Sequence, residues 1–270
     1  MLKPKDLVEQ VSAFIFDMDG VLYVGKKPIP GASRTIEHLR RKGKKLMFVT
    51  NKSTSTRRMY ALLLRRMGIK ARESEIITSA YATTLYLKRA SPGAKVYVIG
   101  EKGLKLELKR GGFKVLPEAE AEQADYVVVG MDRTINYRKL TAALRALLKG
   151  AEFIATNPDQ TYPTEHGICP GAGAMIGALK GSAGRGPKAI IGKPSPHMLR
   201  ISLALLKTKP SETAIVGDKL DTDVLAGKRA GVKTVLVLTG VTSKAEAQQA
   251  KGTKLEPDLV IENLMDLAVN

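Results

Sequence analysis

The sequence contains one cysteine, Cys169, and no tryptophan among its 270 residues. A single thiol excludes a disulfide within the chain, and we interpret it as a small apolar residue near a turn. No apolar stretch reaches the roughly 18 residues that a membrane-spanning helix needs. The N-terminal segment 1–6 has no apolar signal region. We therefore expect a cytoplasmic protein without a membrane partner.

Acidic residues are few relative to basic ones: 26 Asp and Glu stand against 44 Lys and Arg, a formal net charge of +18. A basic surface attracts phosphorylated ligands and also nucleic acid. The basic residues are dispersed and lack interleaved aromatics, so we interpret them mostly as solvated helix faces. A non-catalytic, basic nucleic-acid-binding protein is the alternative from another class. Abundant lysine and arginine with few thermolabile residues hint at a thermophilic source.

Short β-branched runs alternate with helical segments along the chain, a pattern typical of α/β layering around a parallel sheet. The predicted strands are 13–16, 45–49, 95–99, 126–129, 152–155, 213–216 and 235–238. The predicted helices are 31–42, one with Leu62, Leu63 and Met67 on one side that stops near Gly68, 136–149, and one that begins at Ser195, as cap, and Pro196. In the helix 136–149, the apolar residues at helical spacing predict a buried face of Leu140, Ala143, Leu144, Leu147 and Leu148. Gly181–Gly186 is the best linker candidate.

Polar motifs follow the predicted strands. The first strand leads into Asp17-Met-Asp19-Gly20, the second into Thr50-Asn51, and a later one into Gly217-Asp218 with Asp221 and Asp223 just beyond. Gly192-Lys193-Pro194 precedes the Ser195 helix. The carboxyl ends of parallel strands gather at one edge of an open sheet, where ligands bind. We therefore expect these distant groups to converge.

Carboxylates that meet at one edge repel each other and require a cation. Aspartate oxygens and backbone carbonyls suit Mg²⁺, which also shares a substrate phosphate. A carboxylate about 4 Å from a dianionic phosphate is repelled by roughly 8 kcal/mol at an effective dielectric constant of ~20. Mg²⁺ and Lys193 would offset that repulsion, so the pattern predicts a magnesium-dependent phosphate site. An EF-hand is disfavoured, because Gly20 comes too early in the loop.

Four motifs, taken in their order along the chain, resemble those of the haloacid dehalogenase superfamily. They are Asp-x-Asp-Gly, Thr-Asn, Gly-Lys-Pro and Gly-Asp-x-x-x-x-Asp. Within this superfamily, the chain resembles the NagD-like, p-nitrophenylphosphatase-like branch (type IIA). The resemblance lies in the stretches Val49–Lys52, Thr156–Asp159, Pro170–Gly173 and Gly192–Pro194. The resemblance implies an α/β fold: a doubly wound, Rossmann-like parallel-sheet core with an inserted α/β cap. It implies core segments at 1–80 and 187–270 and a cap at 81–186. It also implies a small phosphorylated metabolite as partner and no nucleic acid, because a large cap covers the site. Family members often pair through the cap, so a homodimer is an option that the sequence leaves open.

The resemblance further implies a role for each motif residue. Asp17 would be the nucleophile that becomes an aspartyl phosphate, and Asp19 the general acid and base. The phosphate ligands would be Thr50, Asn51, Lys52 and Lys193. Mg²⁺ would be held by Asp17, Asp218 and the backbone carbonyl of Asp19. Asp223 would bind the waters around the metal or orient Lys193, whereas Asp221 is interpreted as a solvated loop residue.

In the cap, Tyr162 is the candidate for contacting the leaving group of the substrate, with a packing role as the open alternative. Asn157 and Asp159 would shape the same loop. The implied activity is a Mg²⁺-dependent phosphatase acting on small monoesters such as sugar phosphates, phosphoglycolate, glycerol phosphate or p-nitrophenyl phosphate. A nucleoside 5'-monophosphatase and a phosphotransferase of the same superfamily remain alternatives.

Overall fold

The structure is a computed structural model that describes residues 2–164 and 167–268, with the backbone alone at position 163. The chain divides into two compact units. The first unit comprises residues 1–50, 58–77 and 193–270, and the second comprises residues 51–57 and 78–192. Within the described residues, no helix has the length and apolar character required to cross a membrane.

Strands and helices alternate along most of the described chain. The strands are β1 (Ala13–Asp17), β2 (Tyr23–Val24), β3 (Lys27–Pro28), β4 (Lys45–Thr50), β5 (Ile76–Thr78), β6 (Lys95–Ile99), β7 (Lys114–Val115), β8 (Tyr126–Val129), β9 (Glu152–Ala155), β10 (Thr161–Thr164), β11 (Gly167–Pro170), β12 (Ala189–Ile190), β13 (Thr213–Gly217), β14 (Lys233–Val237) and β15 (Leu259–Ile261). The α-helices are α1 (Pro4–Gln10), α2 (Ala32–Arg41), α3 (Arg57–Arg66), α4 (Ser79–Ala90), α5 (Lys102–Arg110), α6 (Tyr137–Leu148), α7 (Ala172–Ala183), α8 (His197–Leu206), α9 (Leu225–Ala230) and α10 (Lys244–Gln249).

The first unit is built on a sheet of order β15-β14-β13-β1-β4-β5. The pairings of β1 with β13 and β4, and of β14 with β13 and β15, are parallel. Residues 13–16 of β1 are fully buried, which agrees with a central strand covered on both faces. Because β1 lies between the early β4 and the late β13, the order of strands reverses there, at the point where open α/β sheets form their ligand crevice.

The second unit has its own sheet, of order β12-β9-β8-β6-β7, with parallel pairing throughout. β10 and β11 form a separate antiparallel hairpin. The core of this unit gathers apolar side chains from the sheet and from α6 and α7, among them Val127, Phe153, Leu147 and Leu179. The predicted α/β fold with parallel sheets is confirmed.

Helix α6 begins where predicted, after Asn136, whose side chain accepts a hydrogen bond from the Lys139 amide at 3.0 Å. The prediction that Leu148 lies on the buried face is wrong, since its side chain is 75% exposed. Ala146 is buried instead. At about 100° per residue, Leu148 lies roughly 200° around the helix from Ala146 and therefore faces solvent.

Two further local predictions are wrong. Ser195 is not the helix cap, because α8 begins at His197 after Pro196, without a side-chain cap. The proposed linker Gly181–Gly186 starts inside α7, and the helix ends only where Gly184 adopts a φ of +66°. Burial of Met175, Ile176 and Leu179 stabilises this helix despite its glycine and serine content, because packing of an apolar face outweighs intrinsic propensity.

Candidate active site

The polar motifs of the first unit meet at the carboxyl edge of its sheet. β1 ends at Asp17, its neighbour β4 ends at Thr50, and Asp218 directly follows β13 on the other side. One carboxylate oxygen from each of Asp17, Asp218 and Asp223 lies within 4.8 Å of the other two. Parallel pairing of three strands therefore brings together acidic groups that are about two hundred positions apart in the sequence.

Lys193 lies among these acids with its side chain only 2% exposed. Its Nζ donates to Asp17 Oδ1 and to Asp223 Oδ1, each at 2.6 Å. The second oxygen of Asp223 accepts a hydrogen bond from the Lys219 amide at 3.2 Å. Lys193 therefore bridges Asp17 and Asp223, and its ammonium balances part of the acidic charge.

Asp218 is enclosed by backbone. Its Oδ2 accepts from the Val241 amide at 2.8 Å, while its Oδ1 is buried and has no hydrogen-bond donor among the described residues. A β-carbon at Gly20 would lie 2.3 Å from Asp218 Oδ2, and one at Gly240 would lie 2.1 Å from it. Only glycine fits at either place, so this carboxylate is held in a fixed position with one oxygen left for a ligand.

Burial and mutual repulsion raise the pKa of the Asp17 and Asp218 carboxyl groups. The pKa of Asp17 rises to about 7, mainly through burial, with the charges of Asp223 and Asp218 adding to it and Lys193 opposing it. The pKa of Asp218 rises to about 6, through burial and the charge of Asp223. Burial alone would lower the pKa of Lys193, but Asp17 and Asp223 raise it well above its usual value. The lysine is therefore charged, whereas the acids need a further cation to ionise fully at neutral pH.

Asp19 lies on the turn that follows β1 and is partly buried. The turn is closed by hydrogen bonds from the Leu22 amide to the Met18 carbonyl and from the Gly20 amide to the Tyr23 carbonyl, both at 2.8 Å. Gly20 has a φ of +82°, a conformation that favours glycine. The Asp19 carboxylate does not belong to the group formed by Asp17, Asp218 and Asp223.

The second unit holds the other motif residues. Asn51 Nδ2 lies 3.2 and 3.3 Å from the two carboxylate oxygens of Asp159, and Asn157 Nδ2 lies 2.8 Å from Asp159 Oδ2. Lys52 follows Asn51 and is partly buried. Tyr162 lies on β10, paired with Cys169 of β11, and its side chain is half-buried. Asn51, Asn157 and Asp159 are thus brought together within this unit.

Sequence reasoning missed the groups that hold Asp218, namely Gly20, Gly240 and the Val241 amide. A signal was present, because Thr239-Gly240 follows β14 in the same way that the recognised motifs follow their strands. Thr239 Oγ1 also donates to the Gly20 carbonyl at 2.8 Å, which links the turns after β1 and β14. Polar or glycine residues after every strand of a parallel sheet are candidates for its ligand edge.

Comparison with known proteins agrees with this geometry. A family profile described as haloacid dehalogenase-like hydrolase matches residues 14–114, and a second, described as HAD-hydrolase-like, matches residues 190–267. An acid sugar phosphatase of Staphylococcus aureus is 40% identical over 241 residues, covering 89% of this chain and 92% of that protein.

Solved structures agree over nearly the whole chain. A p-nitrophenyl phosphatase from Archaeoglobus fulgidus superposes with a TM-score of 0.90 at 42% identity, covering 96% of this chain and 98% of that one. A glycerol phosphate phosphatase from Mycobacterium tuberculosis, in complex with magnesium, gives a TM-score of 0.89 at 30% identity, covering 97% and 77%. The same enzyme is also known in complex with calcium. The predicted resemblance is confirmed: the chain belongs to the haloacid dehalogenase-like hydrolase family and is a phosphatase of that family.

Proposed function

We propose that this phosphatase hydrolyses small phosphorylated sugars or polyols through an aspartyl phosphate on Asp17. The observation that carries the proposal is the contact of Lys193 with Asp17 at 2.6 Å, next to the buried Asp218 at the same sheet edge. The relatives named as acid sugar, p-nitrophenyl and glycerol phosphate phosphatases support this substrate class. Phosphate release from a panel of sugar, polyol and nucleoside phosphates tests it; release from nucleoside 5'-monophosphates alone would contradict it.

The donor set fits a hard divalent cation. Asp17, Asp218 and Asp223 offer only oxygen ligands, and the buried Asp218 Oδ1 has no donor among the described residues. Mg²⁺ takes such ligands. In our proposal Asp17, Asp218 and the backbone carbonyl of Asp19 hold it, while Asp223 holds Lys193. Bound there, the cation would neutralise charge on the carboxylates and on the substrate phosphate.

The reaction proposed for these residues has two steps. The ionised Asp17 attacks phosphorus in line, an aspartyl phosphate forms, the ester P–O bond breaks, and Asp19 gives its proton to the leaving oxygen. Asp19 then takes a proton from water, whose oxygen attacks the same phosphorus and releases Asp17 and inorganic phosphate. Lys193 offsets the negative charge, and Thr50 with the amides of Asn51 and Lys52 would bind the phosphoryl oxygens.

Removal of the divalent cation is expected to abolish turnover, and its effect on stability should depend on pH. The folded-state pKa values of Asp17 and Asp218 are raised to about 7 and about 6, so the metal-free fold loses stability as pH rises through these values. A cation that binds the ionised carboxylates of Asp17 and Asp218 restores the lost stability. We therefore expect Mg²⁺ to raise the melting temperature more at pH 8 than at pH 5, as measured by calorimetry with and without EDTA. A shift that is equal at both pH values would contradict this.

Substitution of Tyr162 by alanine is expected to change the ranking of substrates while leaving the Mg²⁺ concentration for half-maximal activity unchanged. The expectation follows from the proposed contact of Tyr162 with the leaving group, which differs between substrates, whereas phosphate and metal are common to all. Values of kcat/KM for the substrate panel measure it. Exposed Tyr137, also in the second unit, supplies the control substitution Tyr137→Ala. An unchanged ranking would assign Tyr162 to packing.

A further inference from the structure

The hydrogen bonds around Asp159 form a compact cluster with Asn51 and Asn157. Both oxygens of Asp159 lie within hydrogen-bond distance of Asn51 Nδ2, and Oδ2 also accepts from Asn157 Nδ2 at 2.8 Å. Asn51 and Asn157 are 8% and 5% exposed. Thr156 Oγ1 donates to Asn157 Oδ1 at 2.8 Å, which fixes the orientation of that amide. The carboxylate of Asp159 is thus committed to two side-chain amides of its own unit.

The loop that carries Asp159 is itself held by backbone. The Gly173 amide donates to the Asp159 carbonyl at 2.8 Å, and a β-carbon at Gly171 would lie 2.3 Å from that oxygen. The Gly171 amide donates to the Gln160 carbonyl, also at 2.8 Å. The start of α7 therefore fixes the loop in place, and this close approach accounts for the glycines of the Pro170–Gly173 motif.

The segment that leads into Lys193 joins the same cluster. The Gly192 amide donates to the Thr156 carbonyl at 2.7 Å. A β-carbon at Gly192 would lie 2.7 Å from Asn51 Oδ1 and 2.8 Å from the Asn157 β-carbon, so the position requires glycine. Asn51 directly follows Thr50, and Gly192 directly precedes Lys193. One cluster therefore contains Asn51, whose amide is a proposed phosphate ligand, and Gly192, the neighbour of the proposed ligand Lys193.

We propose that Asp159 is a positioning residue for phosphate binding, which holds the Asn51 side chain and thereby the backbone amides of the Thr50–Lys52 turn. This inference rests on the proposed function. It differs from the sequence-based expectation that Asp159 shapes the loop of Tyr162. A hydrogen bond to a carboxylate is stronger than one between neutral groups, so the negative charge at position 159 is what restrains the Asn51 amide.

The substitution Asp159→Asn tests this role because it preserves shape and removes the charge. An asparagine there offers one acceptor to two amide donors, and its own NH₂ group opposes theirs. We expect the inhibition constant of inorganic phosphate to rise about tenfold, the effect of weakening a charged hydrogen bond. Inorganic phosphate has no leaving group, so its inhibition constant reports the binding of the phosphoryl group alone. Because all substrates share this group, KM should rise by the same factor for every substrate, with the Mg²⁺ dependence unchanged.

Asp132→Asn is the matched control. Asp132 is also an aspartate of the second unit; it is 1% exposed and accepts from the Thr134 amide at 2.9 Å and from Lys139 Nζ at 2.8 Å. The Asp132→Asn variant should lose thermal stability without a change in the phosphate inhibition constant. An unchanged phosphate inhibition constant in Asp159→Asn, or an equal rise in the control, overturns the inference.

Two further measurements keep the outcomes separable. If Asp159→Asn does not fold, Asn157→Ala replaces it and should raise the phosphate inhibition constant about threefold through loss of one support for Asp159; no rise overturns the inference. Wild-type protein that neither releases phosphate from esters nor binds inorganic phosphate with Mg²⁺ in calorimetry contradicts the proposed function. If the wild-type protein both releases and binds phosphate, and Asp159→Asn leaves the phosphate inhibition constant unchanged, only the positioning role is contradicted.

Discussion

Replacement of Asp17 by asparagine is expected to lower kcat/KM by about 10⁴-fold or more, the range seen when a covalent nucleophile is removed. Asparagine has nearly the same shape, and Lys193 keeps its contact with Asp223 at 2.6 Å. The fold should therefore persist while the attacking oxygen is lost. Steady-state kinetics on p-nitrophenyl phosphate measure the loss, and acid-trapping of labelled phosphoprotein from wild type, but not from the variant, identifies the intermediate.

The stability of this variant separates loss of chemistry from loss of fold. Burial and the neighbouring acids raise the pKa of Asp17 to about 7, so at pH 8 Asp17 is mostly ionised at a cost to the stability of the metal-free fold. The metal-free variant should therefore melt no lower than wild type at pH 8. Asp221→Asn is the control, because Asp221 is exposed beside Asp223 and should keep full activity. Substantial turnover by Asp17→Asn would remove the nucleophile assignment.

The convergence of Asp17 and Asp218 could be predicted because each stands at the end of a strand of one parallel sheet. Each predicted strand was a short apolar run, and a motif at the carboxyl end of a parallel strand lies at the ligand-binding edge of the sheet. The enclosure of Asp218 could not be predicted in the same way. Gly20 and Gly240 approach this carboxylate from turns 220 positions apart, and only the register of β1, β13 and β14 brings them together.

Local signals were weakest in the second unit. The β10–β11 hairpin was not predicted, since proline in Thr161–Thr164 argues against a central strand, although an edge strand such as this one in a two-stranded pairing tolerates it. The glycine-rich stretch at 181–186 indicated a linker, although buried Leu179 in the same helix stabilises α7. The partner of Asp159 was equally hidden, because a contact between positions 51 and 159 has no periodicity that a sequence displays.

Replacement of Lys193 by methionine is expected to be costly to both activity and stability. The side chain is 2% exposed and lies between Asp17 and Asp223, so its loss leaves two carboxylates close together without their cation. Removing one partner from a buried ion pair costs about 3–5 kcal/mol of unfolding free energy. We also expect kcat/KM to fall by about 10³-fold, since the charge that compensates nucleophile and phosphate is lost.

The pH dependence of this variant distinguishes an electrostatic role from a packing role. Methionine fills a similar volume, so a packing role predicts a small loss of stability at every pH. An electrostatic role predicts a loss that is small near pH 4, where Asp17 is protonated, and that grows as pH rises through the raised pKa of Asp17. Urea denaturation of metal-free protein from pH 4 to 8 measures this slope.

Lys139→Met is the comparison for Lys193→Met, because Lys139 pairs with the buried Asp132 at 2.8 Å outside the candidate active site. The pKa of Asp132 is lowered despite burial, through its hydrogen bonds with Lys139 and Thr134, so this variant too should lose stability above pH 4. Its kcat/KM should stay near wild type. If Lys193→Met unfolds with a flat pH profile, or if both variants lose activity equally, Lys193 does not supply the charge that allows Asp17 to ionise beside a phosphate.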